Sequence, residues 1–165
     1  MNTRAKLQLV DVDYANPRHA ADLVELLNSY AVDPAGGGKG LSDFARQNLP
    51  RSLAARPQAF SVMAYDGGDA IGLVNCIEGF STFACRPLVN VHDVVVLESH
   101  RGLGVAGLML QRIETLARQR DACKLTLEVL QGNHAAMRLY QRLGFAGFQL
   151  DPVMGQASFM QKWLD

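Results

Sequence analysis

The tetrapeptide Asp66-Gly67-Gly68-Asp69 stands between two runs rich in apolar and branched residues, Phe60 to Tyr65 and Ala70 to Phe80. Two central glycines meet the positive-φ requirement of a tight hairpin turn, so the flanking runs are expected to pair antiparallel. The sheet is therefore not a plain succession of parallel strand and helix units.

The remaining elements follow from periodicity and punctuation. Leu7 to Val12 alternates apolar and polar residues and reads as a strand, after which Asn16-Pro17 turns into a helix. From His19 to Val32, the residues Ala20, Leu23, Val24, Leu27 and Ala31 recur at helical spacing and predict one packing face. The glycine-rich stretch Asp33 to Gly40 interrupts that helix. Ser42 then caps a second helix with apolar positions at Ala45, Leu49 and Leu53, kinked or split at Pro50. Leu88 to Leu97 predicts a strand that leads through a glycine-bearing turn into a helix from about Gly104 to Gln119. Its core positions are Val105, Leu108, Met109, Ile113 and Leu116. Leu125 to Leu130 reads as a strand and Asn133 to Leu143 as a short helix ended by Gly144. Phe145 to Leu150 and Ala157 to Trp163 read as two closing strands.

With 165 residues, 48% hydrophobic and 19% charged, the chain is long enough to bury roughly two-thirds of its unfolded surface. No repeat or long linker divides it, so one domain over 1–165 is expected. Sixteen basic residues balance sixteen acidic ones, leaving no global field to attract nucleic acid or a membrane surface. Any anionic ligand must be held by a local site. No apolar stretch approaches the roughly 18 residues of a membrane span, and a cytoplasmic protein is expected. Cys76, Cys85 and Cys123 form no CxxC pair and read as free thiols, and no metal site is expected.

The segment Val94 to Ala106 joins a valine-rich strand to a helix through Arg101, Gly102 and Gly104. The first amides of a helix lack intrahelical partners and lie at the positive end of its dipole, while glycine lets the backbone approach a bulky anion. Arg101 adds a charge-assisted contact, and the combination suits a pyrophosphate. The order of the glycines is not that of a dinucleotide-binding turn, and Gly36 to Gly40 lacks the spacing of a nucleotide phosphate loop.

Arg101-Gly102-Leu103-Gly104-Val105-Ala106 resembles the Arg/Gln-x-x-Gly-x-Gly/Ala motif of the GNAT acetyltransferase superfamily. Asn133, Ala136, Leu139-Tyr140 and Leu143-Gly144-Phe145 are similar to its second motif, in the right order. The resemblance implies an α+β fold with a mixed, mostly antiparallel twisted sheet of about seven strands, splayed between the fourth and fifth and flanked by about four helices. It implies acetyl-CoA as cosubstrate, held by Val94, Val95 and Val96, by Arg101 through Ala106 and by Asn133. A homodimer is also expected from it.

An alkyl amine with a pKa near 10.4 must lose a proton before it attacks a thioester, so a base or water relay is needed. Tyr140 matches the family's general acid. The base is sought on the fourth strand at His92 ahead of Asp93, which a regular strand would point to opposite faces, with Glu78 as a third candidate. A strand amide at Val95 or Val96 is a candidate oxyanion donor. Tyr30, Glu78, Phe80 and Phe83 are candidates to line the acceptor site. The expected reaction is transfer of acetyl to a primary amine of a small molecule by direct attack in a ternary complex. A protein amine as acceptor, or a non-catalytic acetyl-CoA sensor, is the alternative.

Overall fold

The structure is a computed structural model that describes residues 7–148, 151–155 and 157–164. The chain divides into two compact units, one ending at Leu127 and the other beginning at Glu128.

The first unit is built on a five-stranded sheet in the order β1-β2-β3-β4-β5. Strands β1 (Gln8–Asp11), β2 (Ala59–Asp66), β3 (Asp69–Ser81) and β4 (Arg86–Val96) pair antiparallel in sequence. The glycine turn behaves as its composition requires: Gly67 and Gly68 have φ of 60° and 107°, and Asp66 pairs with Asp69. Strand β5 (Leu125–Leu127) joins β4 in parallel, only over Val89–Val91.

Helix α1 (Pro17–Val32) starts on the Asn16 side chain, which accepts from the amides of Arg18 and His19, with proline at the first position. Helix α2 (Asp43–Ala54) is capped by Ser42 Oγ, 3.2 Å from the Ala45 amide. Pro50 does not split it; the helix runs through, at the cost of one backbone hydrogen bond. Helix α3 (Val105–Gln119) buries Val105, Met109, Leu110, Ile113 and Ala117. Leu108 does not point inward as expected and is exposed, with Leu110 taking its place.

Both faces of the sheet are covered. On one, Leu23, Val24 and Leu26 of α1 pack on Met63, Tyr65, Leu73 and Val95. On the other, the Met109 side chain of α3 lies so close to Gly72 that a Cβ there would come within 2.8 Å of it. Each fully buried leucine or valine contributes about 1.5–3 kcal/mol from burial alone.

Cys76 lies in this core at 1% exposure, and burial pushes its thiol up to about 12. Only about one such thiol in ten thousand is ionised at pH 8, and the thiolate is the reactive form. An aromatic disulfide reagent at pH 8 is expected to modify exposed Cys85 quickly and leave Cys76 intact while the protein stays folded. Fast modification of Cys76, read by peptide mass, would mean that the sheet opens.

The second unit contains α4 (His134–Arg142), started by Asn133, whose Oδ1 accepts from the Ala136 amide at 3.2 Å and whose end is marked by Gly144 at φ 89°. Tyr140 is buried and meets Phe145 edge-on, ring centroids 5.9 Å apart. The two expected closing strands are absent among the described residues, so the sheet has five strands rather than about seven. Gln149 and Leu150 lie outside the described residues. Apolar content alone does not make a strand, which needs a neighbouring strand to complete its ladder, and among the described residues 145–148 and 157–163 belong to no strand. Phe148, Phe159 and Trp163 accordingly remain exposed.

Candidate active site

The turn between β4 and α3 has the form its sequence predicts. Gly102 and Gly104 adopt φ of 77° and 86°, the left-handed region that disfavours other residues. A Cβ built on either would meet nothing within 4 Å, so no neighbouring protein atom makes glycine necessary there. Open space lies over a bare backbone at the start of a 15-residue helix whose first turn has no acidic residue. That is a cradle for an anion.

Arg101 beside it is doubly engaged. Its Nε donates to the Val96 carbonyl at 3.1 Å, and its outer nitrogen donates to Asp33 at 2.9 Å, just beyond α1. Asp33 is held below the usual carboxylate range by the amide of Ala35 and by Arg101. Arg101 is about half exposed and Asp33 less so, and an ion pair that solvent and salt reach is a weak tie that a phosphate can displace.

The open edge of β4 begins where β5 leaves it, after Val91. The Leu97 amide donates to the Ile71 carbonyl at 2.9 Å, so by alternation Val95 and Leu97 direct their backbone groups at β3. Val94 and Val96 direct theirs to the other side. The expected Val95 oxyanion donor is thus spent within the sheet, and Val96 keeps the orientation the role needs.

A bulge changes the faces of the next residues back along β4. Asn75 pairs with Asp93 and Cys76 with Val91, which leaves His92 as the extra residue. Asn75 Nδ2 donates to Asp93 Oδ2 at 3.0 Å, so Asp93 lies on the α1 face. His92 Nδ1 lies 3.3 Å from Asn90 Oδ1, on that same face. His92 and Asp93 therefore do not point to opposite faces as a regular strand would require. Tyr30 of α1 completes the group: burial raises its hydroxyl pKa, and the charges of Asp93 and Asp33 raise it further.

Other candidates lie elsewhere. Glu78 is on the α3 face, bonded to Arg120 at 3.0 Å. Phe80 pairs with Pro87 near the far end of the hairpin, about 17 Å along β3 from the Asp93 pairing, and Phe83 at the tip is fully exposed. Sequence proximity to β4 did not translate into proximity to Asp93. Two residues that the sequence reading passed over, Ser61 and Asn75, are buried polar side chains in otherwise apolar strands. That interruption of an apolar run was their only visible signal.

Residues 21–145 match the model of the acetyltransferase (GNAT) family. The chain belongs to this family. Among relatives of this GNAT enzyme, streptothricin acetyltransferase of Streptomyces lavendulae is 28% identical over 149 residues, covering 78% of this chain and 74% of its own. L-methionine sulfoximine/L-methionine sulfone acetyltransferase of Pseudomonas aeruginosa is 31% identical over 138 residues, covering 84% and 73%. The aminoglycoside N-acetyltransferase AAC(6')-Iy in complex with CoA shares the fold at a TM-score of 0.77 with 18% identity, over 98% of each chain. The GNAT enzyme is an acetyl-CoA-dependent N-acetyltransferase. The glycine cradle, Arg101 and the open β4 edge suit the pyrophosphate and amide-bearing arm of that donor, on chemistry visible in this chain.

Proposed function

We propose that this GNAT enzyme acetylates a primary amine of a small cationic molecule by direct attack in a ternary complex, with Asp93 as base and Tyr140 as acid. The observation that carries the reading is the bulge at His92, beside which Asp93 lies on the α1 face near Tyr30, on the stretch of β4 that β5 leaves open. The names of the streptothricin, methionine sulfoximine and aminoglycoside relatives support a small amine as acceptor. The family match runs unbroken across Leu127 and Glu128, which supports one acetyltransferase domain over 1–165.

Acetyl-CoA supplies an activated acetyl thioester. The chain's own groups do the rest. The α3 amides, Arg101 and the glycines would hold its pyrophosphate, and the outward backbone groups of Val94 and the amide of Val96 would pair with its arm. The carboxylates of Asp93 and Asp33 favour a protonated amine near β4 by charge. Asp93 Oδ takes a proton from the ammonium, freeing the nitrogen lone pair. His92, on the same face, is the alternative carrier of that proton. Tyr140 is assigned the proton for the departing sulfur because it stands at the family's acid position.

Release of thiol from acetyl-CoA over polyamines, amino acids, aminoglycosides and lysine-containing peptides tests the reading. One class of small amine is expected to turn over, with Tyr140→Phe slowing it about tenfold or more. Turnover of peptides alone would move the acceptor to a protein amine, a reading that a relative named N-alpha-acetyltransferase 30 of Schizosaccharomyces pombe, 28% identical over 112 residues, keeps in view. Unchanged activity in Tyr140→Phe would remove the acid role.

A further inference from the structure

Among the described residues, Ser61 and Asn75 are the buried polar side chains of the sheet, at 2% and 6% exposure, on the face that also carries Met63, Tyr65, Leu73 and Val95. They are successive links of one chain. Asn75 Nδ2 donates to Asp93 Oδ2 at 3.0 Å, its Oδ1 accepts from Ser61 Oγ at 2.6 Å, and Ser61 Oγ lies 2.8 Å from the Tyr14 hydroxyl. A serine hydroxyl has one hydrogen, and Ser61 gives it to Asn75, so Tyr14 is the donor to Ser61. Every hydrogen in the chain points toward Asp93.

The order has a physical effect. An asparagine amide can present either its carbonyl or its amino end to a neighbour, and only the amino end is attractive to a carboxylate. With Ser61 holding the carbonyl, Asn75 has one orientation left. Tyr14, whose pKa is raised chiefly by burial, stays protonated at neutral pH and keeps Ser61 turned the same way. Aligned donors polarise one another, so the last bond, to the charged group, gains most. A core needing only packing would be served by valine or leucine at both positions, without the desolvation of two polar side chains.

We infer that Tyr14, Ser61 and Asn75 are positioning residues: a three-membered donor chain that fixes the Asp93 carboxylate in the rotamer used for catalysis. This rests on Asp93 being the base, so the test separates the two. Steady-state turnover of the small amine that the acceptor panel selects is measured for Ser61→Ala, Asp93→Asn and the double variant, with the Tm of each recorded. Ser61→Ala is expected to lower kcat about tenfold with KM for acetyl-CoA unchanged, and to have no further effect in the Asp93→Asn background. Ser61→Thr, which keeps the hydroxyl, is expected to stay within about twofold of wild type. Tyr14→Phe, which keeps the ring in place, is expected to lose about two- to threefold and covers the case in which Ser61→Ala folds poorly. Equal losses from Ser61→Ala with and without Asp93, or no loss of kcat at all, would overturn the donor chain and leave the base standing. An Asp93→Asn variant with wild-type kcat would remove both.

Discussion

Asp93→Asn is expected to lower kcat by about 10²- to 10⁴-fold at neutral pH while leaving the affinity for acetyl-CoA and the melting temperature nearly unchanged. The change is nearly isosteric. The amide carbonyl of an asparagine can still accept from Asn75 Nδ2, so the 3.0 Å link and the strand pairing around it survive. What is lost is the ability to take a proton, together with one negative charge beside Tyr30. An acceptor amine then enters as an ammonium and stays one, since its pKa near 10.4 leaves only about one molecule in 2,500 unprotonated at pH 7. Raising the pH supplies free amine from solution, so the deficit of the variant is expected to shrink toward pH 10. A deficit independent of pH would show that Asp93 acts on something other than the acceptor's proton, and full activity at pH 7 would pass the role to His92.

Gly104→Val is expected to weaken acetyl-CoA binding about 100-fold and to lower Tm by about 3–8 °C, the two effects having separate causes. The stability loss comes from the backbone: at φ 86° a β-branched residue carries a penalty of about 1–2 kcal/mol. The binding loss comes from the space above it. A Cβ at Gly104 meets no protein atom within 4 Å, so the isopropyl group projects without obstruction into the cradle and holds an anion off the first amides of α3. Calorimetric titration with acetyl-CoA and a thermal melt read the two quantities independently. Should Tm fall while the binding constant holds, glycine is needed here for the turn alone and the pyrophosphate does not lie over it.

Much of this fold was legible because its elements carry local signals. Asn16 and Ser42 cap the helices their positions advertise, Gly67 and Gly68 make the turn, and Gly104 ends the glycine loop in the conformation only glycine adopts freely. The glycine loop was readable for the same reason: its features lie in a few consecutive residues. The surroundings of Asp93 were not, because they depend on which strand residues stand opposite one another. Nothing in Val91-His92-Asp93 declares that His92 has no partner; that emerges only from the pairing of Asn75 and Cys76 across from it. The donor chain from Tyr14 to Asp93 joins four elements of sequence separated by up to 47 residues in one step, and no periodicity exposes it. The closing strands erred in the opposite direction. Phe145 to Leu150 and Ala157 to Trp163 are rich in apolar and aromatic residues, yet such composition records only what a partner would find acceptable.

The extra residue at His92 is taken up by the bulge and is not passed along the strand. An uncompensated insertion in a two-residue repeat exchanges the odd and even positions that follow, but here Val91 stays opposite Cys76 and Asp93 opposite Asn75, so the pairing on either side is that of a regular ladder. Removal of His92 would bring Asp93 next to Val91 with both cross-strand partners unchanged, and Val94 and Val96 would still offer their backbone groups outward. What the insertion adds is an imidazole on the α1 face beside Asp93. A homologue that lacks this single residue is expected to keep the carboxylate, its asparagine partner and the spacing to the arginine, and to lose the imidazole alone.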